Sequence, residues 1–346
     1  MKAAGSRLLA RLEAARAAAR DPIEQACLRA EHAGYRARQG RGDEARAELR
    51  ALHTQFDRQP HPAVSVWLCL VEGWVAHDGS ADARVHDRFK RAHALSMAAG
   101  LTRLQALSAA WLAHLDHAHR QMDAMARHTI EALHLAEPAD HAARARACLV
   151  AAQAYEFAER SDLAQPWSGR AREQAQLDGD DQTLGTLIHG MAWHSVHHAL
   201  QTVVFGGDAR EPARQALARV EAAENFDALA GGGTLRARLP LLRALIASAQ
   251  GDFAAALAQY ARCEPDRADA QRGPLAANVL ADRAWCRWQA GDTSAAALDA
   301  DAALAHIDDA ALPDDARALG HARLAQVLGS MGQVEAGEKQ RRLADA

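Results

Sequence analysis

Residues 279–304 read "VLADRAWCRWQAGDTSAAALDADAAL". A run of small and apolar residues ends at Gly291-Asp292, and a second run opens directly behind it. Gly suits the left-handed backbone that terminates an α-helix. Asp suits the start of the next helix, where its carboxylate meets unpaired N–H groups and the positive end of the dipole. In the second run Ala296, Ala300 and Ala303 are spaced by four and three, so they share one helical face. The stretch therefore reads as two helices joined by a tight turn, with a small-residue face that lets a neighbour approach.

The same turn recurs along the chain. It appears as "GRGDEARAEL" at 40–49, "HDGSADARVHDRF" at 77–89, "HRQMDAMARHTIEAL" at 119–133 and "ERSDLAQPWSGRA" at 159–171. It returns as "FGGDAREPARQAL" at 205–217, "AQGDFAAALAQY" at 249–260 and "SMGQVEAGEKQ" at 330–340. Taking Asp43, Asp82, Asp123, Asp162, Asp208, Asp252, Asp292 and Gln333 as landmarks, the spacings are 39, 41, 39, 46, 44, 40 and 41. Self-similarity at so steady a period is the mark of a repeat architecture. Each Asp landmark is expected to cap the helix that follows it. Other helix starts carry Pro near the first position, as in "DPIE" at 21–24, "HPAVSVWLCL" at 61–70, "RGPLAANVL" at 272–280 and "LPDDARAL" at 312–319. The two longest spacings flank residues 180–235, and "LAGGGTLRARLP" at 229–240 reads as a hinge or long inter-repeat loop.

Composition agrees. About a quarter of the 346 residues are Ala, Leu is plentiful and β-branched residues are sparse, which favours helix throughout. The formal charge of −4 lacks the basic excess of a general nucleic-acid binder. Cys27, Cys69, Cys148, Cys263 and Cys286 are odd in number and far apart, neither a disulfide framework nor a zinc pattern. Reduced, buried thiols are expected. The N-terminal "MKAAGSRLLARLEAARAAAR" has no apolar core of signal-peptide length, and no run of 18 apolar residues occurs. These features predict a cytoplasmic protein without a membrane span. The closing "QVEAGEKQRRLADA" has no Gly or Pro terminator, so that helix either frays or leads into a further domain.

The pattern resembles the tetratricopeptide repeat (TPR) family over residues 22 to about 343. The closest matches to that pattern are "LLRALIASAQGDFAAALAQYARCEP" and residues 279–304. The units run to about forty residues rather than 34 and often lack the large aromatic of the first helix, so they look more like the longer hairpin repeats of bacterial signalling and transcriptional regulators. The resemblance implies an all-α chain: an N-terminal helix over 1–21, then one α-solenoid domain, 22–346, a superhelix of about eight TPR-like hairpins. It implies a non-enzymatic scaffold that binds a protein or peptide through its concave surface. A sensory, ligand-binding module of a bacterial regulator is the alternative.

Two histidine-rich helices invite a third reading. In "GMAWHSVHHALQ" at 190–201, His194 and His198 share a face at i, i+4. Ser195 stands where a zinc protease needs a general-base Glu, and two helical ligands leave a zinc site incomplete. A wheel of 184–204 puts Leu184, Leu187, Ile188, Met191, Ser195 and Ala199 on one stripe, with Trp193 and His197 opposite. In "WLAHLDHAHR" at 111–120, His114 and His117 are spaced by three. "AAQAYEFAER" lies between the two clusters and offers Tyr155, Glu156 and Glu159. On first helices these residues form a band. Trp111, His114, Tyr155, Glu156, Trp193, His194 and His197 are the groove candidates; packing between repeats explains the aromatics equally well. No phosphate loop, nucleophile elbow or dinucleotide fingerprint occurs. The paired carboxylates Asp180-Asp181, Asp308-Asp309 and Asp314-Asp315 fall at helix starts, where capping accounts for them. A metal-dependent hydrolase built on the histidines is thus the weakest reading. No catalytic residue, cofactor or resident metal is predicted, no nucleic-acid or membrane partner is expected, and the oligomeric state stays open.

Overall fold

The computed structural model describes residues 6–77, 83–158, 160–230, 237–263, 276–309 and 312–345. Asp82, Glu159, the triple glycine at 231–233 and the Pro274 start lie outside them. Among the described residues there are seventeen α-helices and no strand. None is long and apolar enough to cross a membrane.

The described residues gather into two compact units. One comprises 6–190 with 225–230, the other 191–224 with 237–345. The first unit contains α1 (Arg7–Ala18), α2 (Pro22–Arg38), α3 (Gly42–Phe56), α4 (Pro62–Ala76), α5 (Ala83–Ala98), α6 (Thr102–Ala118), α7 (Met122–Leu135), α8 (His141–Phe157) and α9 (Ser161–Asp178). It also holds the start of α10 (Asp181–Val204) and the end of α11 (Arg210–Ala230). The rest of those two helices belongs to the second unit, with α12 (Leu239–Ala249), α13 (Phe253–Tyr260), α14 (Ala276–Gln289), α15 (Thr293–Leu304), α16 (Asp314–Ser330) and α17 (Val334–Ala344).

Consecutive helices pack in pairs, and the members of a pair differ in how they are buried. In α4, Val64 and the run Val66–Val71 are buried, together with Gly73 and Trp74. The inner helices α6 and α8 are likewise buried around most of their circumference. Their partners bury a single stripe: Ala45, Leu49 and Leu52 on α3; Val85, Phe89 and Ala92 on α5; Met125, Thr129 and Ala132 on α7. A one-stripe helix is what amphipathic periodicity encodes, whereas an all-round apolar helix must sit inside. Gly34 on α2 is required by this packing, because a Cβ there would overlap the Trp74 ring.

The turns follow the sequence closely. Gly40, Gly206, Gly251, Gly291 and Gly332 all take φ between 79 and 86°, the left-handed region that ends a helix without a Cβ penalty. The turn between α6 and α7 has Arg120 in that place, at φ 59°. The capping expectation holds for Asp252 and Asp292, whose carboxylates accept from Ala255 N at 3.0 Å and Ala295 N at 3.1 Å. Asp21 does the same for Glu24 N. It fails for Asp43, Asp123 and Asp162, because those helices start earlier: Arg41, Gln121 and Arg160 hold the cap positions. The three carboxylates then act from within the first turn, where the dipole still favours them. Gln333 occupies a cap position but makes no side-chain cap bond.

The small-residue ladders are buried as expected, with Ala296, Ala300 and Ala303 in α15 and Ala256 and Tyr260 in α13. The cysteines form no disulfide; Cys69, Cys148 and Cys286 are buried, Cys27 and Cys263 half-buried. Burial pushes the thiols up, Cys286 to about 12 and Cys27 to about 11. The second unit also buries an ionic cluster. Asp282 accepts from Ser248 Oγ at 2.9 Å and Tyr260 Oη at 2.7 Å, and pairs with Arg323 Nη2 at 2.7 Å.

Candidate functional site

The first unit contains a pocket lined by successive inner helices. α2 supplies Glu31, Tyr35 and Arg38, α4 supplies Trp67 and Trp74, and α6 supplies Leu107 and Trp111. Ala142 and Arg146 come from α8, Thr183 from α10, Leu8 from α1, and Asp178 and Asp180 from the α9–α10 turn. The pocket holds about 420 Å³ of empty volume, part of it at an open mouth.

Long-range polar contacts bring the two sequence ends of this unit together. Leu8 N donates to Gly179 O at 3.3 Å, and Arg7 reaches Gln176 O at 3.1 Å. Arg11 pairs with Asp178 at 2.6 Å, and Arg38 with Asp180 at 2.7 Å, across 167 and 142 residues of sequence respectively. Asp180 is also the cap of α10, accepting from Gln182 N and Thr183 N at 3.0 Å each. Thr183 Oγ1 donates to it at 2.8 Å. Burial would raise the Asp180 pKa, but Arg38 and the Thr183 donors outweigh burial and hold the carboxyl below its usual range. Burial likewise works against the Arg38 charge, and Asp180 more than restores it.

The aromatic wall is continuous. Trp67 and Trp74 centroids lie 6.3 Å apart, Trp74 meets Trp111 edge-on at 5.5 Å, and Trp111 stacks on Phe89 at 5.6 Å. Trp74 Nε1 is buried without a hydrogen-bond partner.

Arg146 is the exception to the pairing seen around it. It is 4% exposed, and its guanidinium lies 4.0 Å over the Trp111 ring. Its one hydrogen bond runs from Nη2 to Thr183 Oγ1 at 3.3 Å, and Nε is buried without an acceptor. No carboxylate lies within ion-pair distance of it among the described residues. Burial, followed by the positive charge of Arg38, lowers its pKa to about 9, against a smaller opposing pull from Asp180. Glu31 is the acidic counterpart. Burial raises its pKa, with Asp178 adding to the shift and Arg103, Arg11 and Arg38 opposing it.

The sequence candidates divide between the units. Trp111 lines the pocket, and His114 stacks edge-on against it at 5.5 Å and against His77 at 5.6 Å. Burial, with Arg146 next, drives the His114 pKa well below its usual value, so the ring is neutral at pH 7. Tyr155 and Glu156 stand at the far end of α8 and do not line the pocket; Tyr155 is 36% exposed and Glu156 half-buried. Trp193, His194 and His197 belong to the second unit. There the Trp193 and His197 rings lie 4.0 Å apart, and His197 Nδ1 donates to Trp193 O at 3.1 Å. Burial lowers the His197 pKa. The apolar stripe of α10 in that unit is Ala192, Val196, Ala199 and Leu200; Met191 and Ser195 are only half-buried, and Ser195 Oγ accepts from Arg219 at 2.5 Å. Among the described residues no group of three His, Cys, Asp or Glu is placed to hold a metal ion.

Glu31, Arg38, Trp67, Trp74 and Arg146 escape a motif search. Arg146 carries one local signal: it lies three residues after Ala143 and four before Val150, a charge on an otherwise apolar face. No family model matches the chain, and no curated protein does.

Proposed function

We propose that the chain is a non-enzymatic binding protein built from TPR-like helical hairpins, α2 to α17 taken in eight consecutive pairs, with its ligand held by the inner helices. Of the two occupants that a hairpin array suggests, a small signal ligand suits the first unit better than an extended peptide. The observation that carries this choice is the pocket itself. It is walled by Trp67, Trp74 and Trp111, and its two sequence ends are tied by Arg38–Asp180 and Arg11–Asp178. Ligand sites are typically concave and largely apolar, with a few placed polar groups. This agrees with a sensory or regulatory role. A protein or peptide partner is the second reading, favoured by the paired Trp193 and His197 rings of the second unit.

The test is a titration of the full chain with separate pools of small metabolites and of short peptides, read by indole fluorescence and thermal unfolding. The expected result is a small-molecule pool that shifts both. Peptide pools that act while small-molecule pools do not would replace the first reading with the second. Turnover of any bound compound would overturn the non-enzymatic assignment.

A further inference from the structure

We propose that Arg146 anchors a small organic monocarboxylate, its carboxylate on the guanidinium and its apolar body against the indoles of Trp67, Trp74 and Trp111. This rests on the small-ligand reading above and adds the chemical class.

Three observations carry it. First, Arg146 has unspent donors in a place where a cation needs a partner. A guanidinium has five N–H donors in a fork that matches a carboxylate. Here one is used, weakly, by Thr183, and Nε faces no acceptor although it is buried. Buried charges are ordinarily paired, because desolvation is costly without compensation. Arg38, the other cation lining this pocket, already has Asp180, and Asp178 is taken by Arg11 from beside it. Second, the surrounding acids limit the ligand to one negative charge. Glu31, Asp178 and Asp180 line the same pocket, so a phosphate or dicarboxylate would place its further charge among carboxylates. Third, apart from Tyr35 and Thr183 the remaining walls are indoles, Leu8, Leu107 and Ala142, which favour a flat or branched apolar body.

The experiment uses the full chain with phenylacetate and 4-methylpentanoate as probes. Phenylacetamide, phenylmalonate and inorganic phosphate are the controls, as is a peptide ending in a free Leu carboxylate. Binding is read by calorimetry and by tryptophan fluorescence. A monocarboxylate is expected to bind, with its amide weaker on the order of 10- to 100-fold, since a charge-assisted pair is exchanged for a neutral one. Arg146→Met should lose a similar factor while circular dichroism stays that of the parent, and Arg146→Lys should recover part of it. Equal binding of acid and amide, equal binding to Arg146→Met, preference for phosphate or phenylmalonate, or capture of the peptide alone would each overturn the assignment. So would the absence of binding by both probes at millimolar concentration. A neutral metabolite that quenches the indoles while neither carboxylate probe binds would sink the carboxylate assignment and leave the small-ligand reading standing.

Discussion

Asp282 offers the sharpest test of how the second unit holds together. The residue is 1% exposed, and its two oxygens serve Ser248, Tyr260 and Arg323, which come from α12, α13 and α16. Asp282→Ala leaves Arg323, itself 4% exposed, as a buried cation without its carboxylate. Breaking a buried pair in this way costs about 3–5 kcal/mol. The Tyr260 hydroxyl loses its acceptor as well, but the members of one network do not add independently, so about 3–5 kcal/mol stands for the whole change. Replacing both charges, as Asp282→Leu with Arg323→Met, removes the uncompensated cation and should recover most of the loss. The assay is urea unfolding of wild type, each single variant and the double variant, followed by fluorescence and circular dichroism. Trp285 lies 5.5 Å from the Arg323 guanidinium and reports locally. Single variants that lose less than about 1 kcal/mol, or a double variant no better than the worse single one, would refute the claim that this pair is a desolvated, mutually dependent unit.

Two further outcomes follow from the same physics. Burial holds the His117 pKa at about 4, with Arg120 adding to the shift, and its Nε2 is buried without a partner. The unfolded chain therefore takes up a proton that the folded chain refuses between its ordinary value of 6.5 and about 4, so stability falls as pH drops through that window. Between pH 7 and pH 5 the loss from this one group is about 2 kcal/mol, and His117→Gln should reduce it; an unchanged pH dependence of the urea midpoint would count against the buried, neutral imidazole. At Gly34 the added methyl of Gly34→Ala meets the Trp74 ring, which must shift; a loss of about 1–3 kcal/mol with a changed indole emission is expected, and a neutral substitution would show that α2 and α4 are not in close contact.

Much of the local structure was legible without coordinates because its causes are local. Gly-Asp turns need a left-handed residue and then a carboxylate near fresh N–H groups, and both needs are met within four residues. Ala at spacings of three and four marks the close-packed face of α15 directly. The cap positions of α3, α7 and α9 lie two residues before Asp43, Asp123 and Asp162, a difference the sequence hides because first-turn and cap carboxylates look alike. Trp111 and His114 were legible as a pair because one helical turn joins them. Their relation to Arg146 was not, because Trp111 and Arg146 lie on different helices, α6 and α8.

What the sequence by itself determined was the helical character of the chain, its period of about forty residues and the turns that end each run, all of them set by backbone preferences within a few positions. The tertiary structure decided which charges are paired. Arg38 finds Asp180 across 142 residues and Arg11 finds Asp178 across 167, while Arg146, more deeply buried than either, finds only Thr183 and an indole among the described residues. Whether a buried cation is compensated depends on what the packing of distant helices brings within a few ångströms of it, and no spacing along the chain carries that distance.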